Sequence, residues 1–153
     1  MYTRILVPVD GSQTAKRGLQ EALRLAKKLG STLRLLHVVN DQAAFAGPEI
    51  ALYAEELLKS FRARGESILA EARAAVEGQG VAVETRCVEV AGGSAGDAIV
   101  DDARAWPADL IVIGTHGRRG LYRLVLGSDA EYVVRTSPVP VLLVRAAAAV
   151  AKD

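Results

Sequence analysis

The sequence predicts an α/β protein built on an open, doubly wound, five-stranded parallel sheet with helices on both faces. Three observations predict it. Short unbroken apolar runs, of which Ile5-Leu-Val-Pro-Val9 and Leu110-Ile-Val-Ile113 are the clearest, have the pattern of strands buried on both sides. Segments of helical periodicity separate the runs, and this alternation calls for crossover connections and parallel pairing. Turn residues such as Asp10-Gly11-Ser12 and Gly114 follow the runs, at the carboxyl ends of strands where ligands of such sheets bind.

Taken in order, Arg4 to Val9 is a β-branched run closed by Asp10-Gly11-Ser12. Ser12 can cap the helix that follows. Its apolar positions Ala15, Leu19, Ala22, Leu23, Ala26 and Leu29 recur at three- and four-residue steps until Gly30 stops it. Thr32 to Val39 is a second strand. Beyond a loop holding Gly47-Pro48, the residues Leu57, Leu58, Phe61, Ile68, Leu69, Ala72 and Val76 give a long helix an apolar face opposite a solvated Glu/Arg face. Gly78 and Gly80 end it. Val81 to Val90 alternates apolar residues with Glu84, Arg86 and Glu89, the pattern of a partly wet strand near a sheet edge. Gly92-Gly93 turns the chain into a short helix from about Ser94 to Ala105, and Pro107 interrupts before the strand 109–114. A helix over about 128–136 and a proline-marked strand, 138–144, complete the fold. Residues 1–146 read as a single domain and 147–153 as a loosely ordered Ala-rich tail.

Half of the 153 residues are hydrophobic, enough for one sizeable core without staples. With 19 basic against 18 acidic residues, no global field favours nucleic acid or an acidic membrane, so recognition must be local. The lone cysteine, Cys87, is expected to pack in a strand and rules out an intramolecular disulfide. No apolar run reaches spanning length and the N-terminal one is too short for a signal peptide, so a cytoplasmic location is the expectation.

Gly114 to Ser128 is where chemistry concentrates. A buried strand, a glycine-bearing loop and a helix start come in the order that suits an anion. Glycines at 114, 117 and 127 permit positive φ and close approach of amides, the helix from Ser128 aims its unpaired N–H groups at the loop, and Arg118 and Arg119 add charge. A structural turn explains the same glycines, because G-x-x-G alone is weak. Other nucleotide chemistries are excluded more firmly: there is no G-x-x-x-x-G-K-[S/T], no G-x-G-x-x-G after the first strand, and no receiver-domain acidic pair. Two histidines, His37 and His116, and one cysteine give no metal-ligand spacing. His37 reads as a strand residue satisfied by a hydrogen bond.

Gly114-x-x-Gly117, nine residues, then Gly127-Ser128 resembles the G-2x-G-9x-G-[S/T] signature of ATP-binding members of the universal stress protein family. Ile5 to Ser12 resembles that family's opening strand and loop, and Leu36 to Val39 its second strand, so the likeness covers nearly the whole chain. It implies strand order 3-2-1-4-5 and a cytoplasmic, homodimeric, nucleotide-responsive regulator that pairs through the last strand, Val139 to Val144. It further implies that Pro8, Val9 and Asp10 line the adenine and ribose end, that Val38 contacts adenine, and that Ile113 and Gly114 flank the nucleoside. Gly117, Gly127 and Ser128 would hold phosphate oxygens of ATP, ADP or AMP, with Arg118 as a looser addition. Asp129 departs from the pattern. A carboxylate there either helps hold Mg²⁺, weakens triphosphate binding in favour of AMP or an empty site, or is an ordinary first-turn helix acid. With no evident base, any ATP hydrolysis or autophosphorylation is expected to be slow. Two alternatives stand beside this reading. One is a dimerisation module that binds no nucleotide. The other is a small serine hydrolase using Gly92-Gly-Ser94-Ala-Gly96 with Asp109 and His116.

Overall fold

The computed structural model describes residues 1–41, 47, 53–115 and 126–145. The elements run β1 Arg4–Pro8, α1 Gln13–Leu29, β2 Thr32–Asn40, α2 Ala54–Val76, β3 Val83–Val90, α3 Ala95–Ala105, β4 Leu110–Gly114, α4 Ser128–Thr136 and β5 Val141–Val144. The five strands are parallel, in the order β3-β2-β1-β4-β5. This is the predicted doubly wound sheet.

Successive strand residues point to opposite faces, so a strand covered on both sides must be apolar at every step. Ile5, Leu6 and Val7 are all fully buried. Ile5 and Val7 join Leu33, Leu35 and Val112 beneath α1 and α2, meeting Leu19, Ala22, Leu69 and Val76. Leu6 joins Leu36, Ile111 and Ile113 on the other face against Ile99, Val100, Ala130 and Val133 of α3 and α4. Burying each large aliphatic side chain contributes about 1.5–3 kcal/mol. The strands β1, β2 and β4 therefore form the rigid centre from which the loops project.

Two strands begin later than the hydrophobic pattern suggests. β5 starts at Val141 rather than Pro138, since neither Pro138 nor Pro140 can donate a ladder hydrogen bond. Pro140 contributes only its carbonyl, to Ile111 N–H at 3.0 Å. β3 starts at Val83, not Val81, although the Ala82 carbonyl already accepts from Leu33 N–H at 2.9 Å. β3 lies at the sheet edge as its alternation predicts. Cys87 sits in this strand but is exposed, which corrects the expectation that it packs; partial burial, then Glu89 and Glu66, push its thiol up.

Asp109 ties the amino end of the sheet together. Its carboxylate accepts from Thr3 N–H at 2.7 Å, the Thr3 hydroxyl at 2.9 Å and Arg4 N–H at 3.1 Å. Burial pushes this carboxyl up, but the Thr3 and Arg4 donors outweigh it and hold the group below its ordinary value. Among the described residues no helix is long and apolar enough to cross a membrane.

Candidate functional site

The candidate site begins at the turn after β1. Val9 N–H donates to Leu36 O at 2.8 Å, the last anchor before the chain leaves the sheet. Asp10 Oδ1 accepts from Ser12 N–H at 2.9 Å, and Gly11 reverses the chain with φ of 81°, a conformation that disfavours any side chain. Ser12 then caps α1, its Oγ accepting from Ala15 N–H at 3.2 Å. Pro8 and Asp10 are half-buried beside buried Val9. Val38 and Leu126 pack on the cluster that contains Ile113, so Pro8, Val9, Asp10, Val38, Ile113 and Gly114 share the carboxyl edge of three adjacent strands. Asp41 is buried at the same edge, with an Oδ1 that has no partner among the described residues, and no sequence pattern had marked it.

The second part of the site comprises the described ends of the passage from β4 to α4. Gly114 and Gly127 do not use positive φ, contrary to the sequence expectation. Gly114 is glycine for a different reason: a Cβ there would lie 2.8 Å from the Thr14 carbonyl carbon at the start of α1. Helix and strand touch backbone to backbone at this point. Thr115 N–H donates to Val144 O at 3.0 Å, and Gly127 N–H donates to Thr115 O at 2.8 Å, which closes the neck of the loop. The Gly127 amide is thereby engaged with protein rather than aimed at a ligand. Gly117 and Arg118, with His116 and Arg119, lie outside the described residues.

The α4 terminus itself has no side-chain cap; Gly127 occupies the cap position, and the first ladder bond is Glu131 N–H to Gly127 O at 2.8 Å. Ser128 and Asp129, both exposed, therefore carry N–H groups that the helix cannot satisfy. The Asp129 carboxylate turns sideways and accepts from Gly96 N–H of α3 at 3.1 Å. It is a first-turn acid that links two helix starts. Among the described residues no cluster of His, Cys, Asp or Glu has the makings of a metal site.

The Ser94 motif resolves into a helix cap. Ser94 Oγ accepts from Asp97 N–H at 3.1 Å, while Asp97 Oδ2 accepts from the Ser94 amide at 3.3 Å and its hydroxyl at 2.7 Å, a reciprocal capping box. The Ser94 hydroxyl, then Tyr132, hold the Asp97 carboxyl below its ordinary value. Ser94 has extended φ and ψ of −94° and 156°, not the strained turn of a nucleophile elbow. Gly96 is required because a Cβ would meet the Tyr132 ring at 2.8 Å. Asp109 is bound to Thr3 and Arg4 ahead of β4, at the opposite end of the parallel sheet from Ser94, so the proposed acid and nucleophile are not brought together.

A five-stranded parallel sheet of order 3-2-1-4-5 with helices packed on both faces defines a doubly wound, Rossmann-like α/β protein. The model of the universal stress protein family matches residues 1–145, and the chain belongs to that family. A universal stress protein of Methanocaldococcus jannaschii is 32% identical over 145 residues, covering 95% of this chain and 83% of the relative. The solved structure of universal stress protein UspA from Lactobacillus plantarum is similar, with 32% identity, a TM-score of 0.83, and coverage of 94% of this chain and 98% of that one. The universal stress protein of Archaeoglobus fulgidus in complex with dAMP is 27% identical, with a TM-score of 0.63, and coverage of 94% and 98%.

Proposed function

We propose that this protein binds one adenine nucleotide per subunit and acts as a nucleotide-responsive regulator of the stress response. In this reading the chain forms a single domain over 1–146, the Ala-rich tail over 147–153 lying outside the described residues, and works in the cytoplasm as a homodimer. Adenine and ribose lie against Pro8, Val9, Asp10, Val38, Ile113 and Gly114. The phosphate meets Gly117, Arg118, Ser128 and Asp129, chiefly through main-chain amides, with Gly127 at the cap position leaving room for its close approach. The observation that carries this is the uncapped, exposed start of α4, whose Ser128 and Asp129 amides stand beside the same edge as Val38 and Ile113. The relative solved with dAMP supports an adenylate as the ligand class.

The Asp129 carboxylate favours a monophosphate. Held by Gly96 N–H, it stays beside the phosphate position and repels additional negative charge. Where Mg²⁺ accompanies a di- or triphosphate, the phosphate oxygens and the Asp129 carboxylate would be its ligands; the monophosphate reading does not call on it. No hydrolytic step is assigned, since the described residues near α4 include no positioned base. The dimer contact is β5, an edge strand whose Val141, Leu142 and Val144 are half-buried and whose Leu143 is 37% exposed.

Mass spectrometry of the small molecule released on denaturing freshly purified protein should find an adenylate. Calorimetry should then show AMP binding more tightly than ATP, with Asp129→Ala narrowing the difference by raising ATP affinity about tenfold. No heat with AMP, ADP or ATP, with or without Mg²⁺, would contradict the assignment. Gly127→Glu should abolish binding while the dimer persists in light scattering.

A further inference from the structure

We propose that His37 is a positioning residue for the nucleoside end of this site: its Nδ1–H holds the Val9 carbonyl and so sets the turn that carries Asp10. The inference rests on the nucleotide reading above and deepens it. His37 lies in β2 and is 4% exposed, on the strand face where Leu33, Leu35 and Val39 are aliphatic and buried. An imidazole among such neighbours is costly unless its polar atoms are satisfied. Its Nδ1 lies 2.8 Å from Val9 O, and because a carbonyl can only accept, Nδ1 carries the proton.

Position in the sheet gives the bond its meaning. The register between β1 and β2 ends at Pro8 opposite Leu36, where β1 leaves the sheet. Val9 N–H is held by the main chain of Leu36 and Val9 C=O by the side chain of His37, so both polar groups of Val9 are fixed by consecutive residues of β2. The next residue is Asp10, and Gly11 follows in its left-handed conformation.

α2 locks the ring from behind. Gly65 is buried against it: a Cβ at 65 would lie 2.6 Å from His37 Cδ2 and 3.2 Å from Nε2, so the helix backbone presses directly on the imidazole. One turn along, Ile68 lies within contact range of Gly11, where a Cβ would meet its Cγ1 at 3.5 Å. One helix thus braces both the ring and the turn that the ring holds. Side chains locked in this way by packing are what keep a binding geometry within fractions of an ångström.

The test compares His37→Leu, which fills similar volume without a donor, with His37→Asn, whose amide nitrogen occupies the Nδ1 position relative to Cγ. Calorimetry with AMP should show affinity falling about tenfold in His37→Leu and returning to within about threefold of wild type in His37→Asn. Equal affinity of His37→Leu and wild type overturns the proposal; so does His37→Asn binding as weakly as His37→Leu, which would assign the loss to packing. Long-range ¹H–¹⁵N spectra of the wild-type imidazole give a readout independent of any variant's folding. They should show the Nδ1-protonated tautomer, and the Nε2-protonated form would overturn the proposal. Absence of AMP binding by wild type overturns the nucleotide site itself and this inference with it, an outcome distinguishable because the wild-type arm fails first.

Discussion

Two glycine-bearing turns leave the carboxyl edge of the sheet and start helices, β3 to α3 and β4 to α4, and their chemistry is opposite. The first is closed. Ser94 and Asp97 satisfy each other's donors, and Gly96 N–H is taken by Asp129 from the neighbouring helix. The second has no side-chain cap, its cap residue is a glycine, and Ser128 and Asp129, which carry its first-turn amides, are exposed residues. Each sequence presents a recognisable active-site pattern, yet the capped helix has its Gly96 and Asp97 amides taken by side chains while the uncapped helix keeps those of Ser128 and Asp129 to offer an anion. A motif at a helix start gains functional meaning when the structure leaves its amides unsatisfied.

The largest effect that would sharpen this contrast concerns Gly114, the motif glycine that serves packing. Gly114→Val places a Cβ against the backbone of Thr14 and should destabilise the fold by about 3 kcal/mol, read as a lower urea midpoint with unchanged slope. Next in size is a pair of proline substitutions. Proline is tolerated at the first helical position, and both preceding residues, Gly127 and Ser94, are already extended. Ser128→Pro removes one amide from the proposed phosphate site and should weaken AMP binding about tenfold, with little change in melting temperature. Ala95→Pro makes the same change at the capped helix and should leave AMP affinity unaltered. Equal loss in both variants would break the comparison.

A smaller effect distinguishes the closed turn. The Ser94 hydroxyl and then Tyr132 depress the Asp97 carboxyl, so its contribution to stability is present above the ordinary carboxylate pKa and is lost as pH falls through the lower folded value. Asp97→Ala should therefore melt modestly below wild type at neutral pH, the gap closing in acid, with AMP affinity unchanged. Smallest of all, a fluorophosphonate probe should leave Ser94 unlabelled, because its hydroxyl is engaged with Asp97 at 2.7 Å and Asp109 is held by Thr3 and Arg4 at the other end of the sheet.

What sequence could reveal divides along the same line. Unbroken apolar runs at β1 and β4, the Ser12 cap and the Gly30 stop were legible because each depends on local periodicity or on a single backbone conformation. Strand order was not, since periodicity says which face is buried and never which strand is adjacent; resemblance supplied it. At the site, the motif gave two of its glycines, Gly114 and Gly127, a positive φ that neither has. Gly114 answers to Thr14, and the Gly127 amide answers to Thr115 across the neck of the loop. Contacts of Asp129 with Gly96 and of His37 with Val9 were equally hidden, being tertiary pairings set by how helices seat on the sheet. Strand ends failed for a simpler reason. Hydrophobicity continues through Val139, whereas ladder pairing in β5 begins only beyond Pro138 and Pro140, which have no donor to give.

Amide-resolved NMR during titration with AMP tests the central claim most directly. Saturation should move the Ser128, Asp129 and Ala130 amides downfield as they take up phosphate oxygens, while Ser94, Gly96 and Asp97 stay in place. Shifts confined to the α3 start, or none at either helix, would contradict the account.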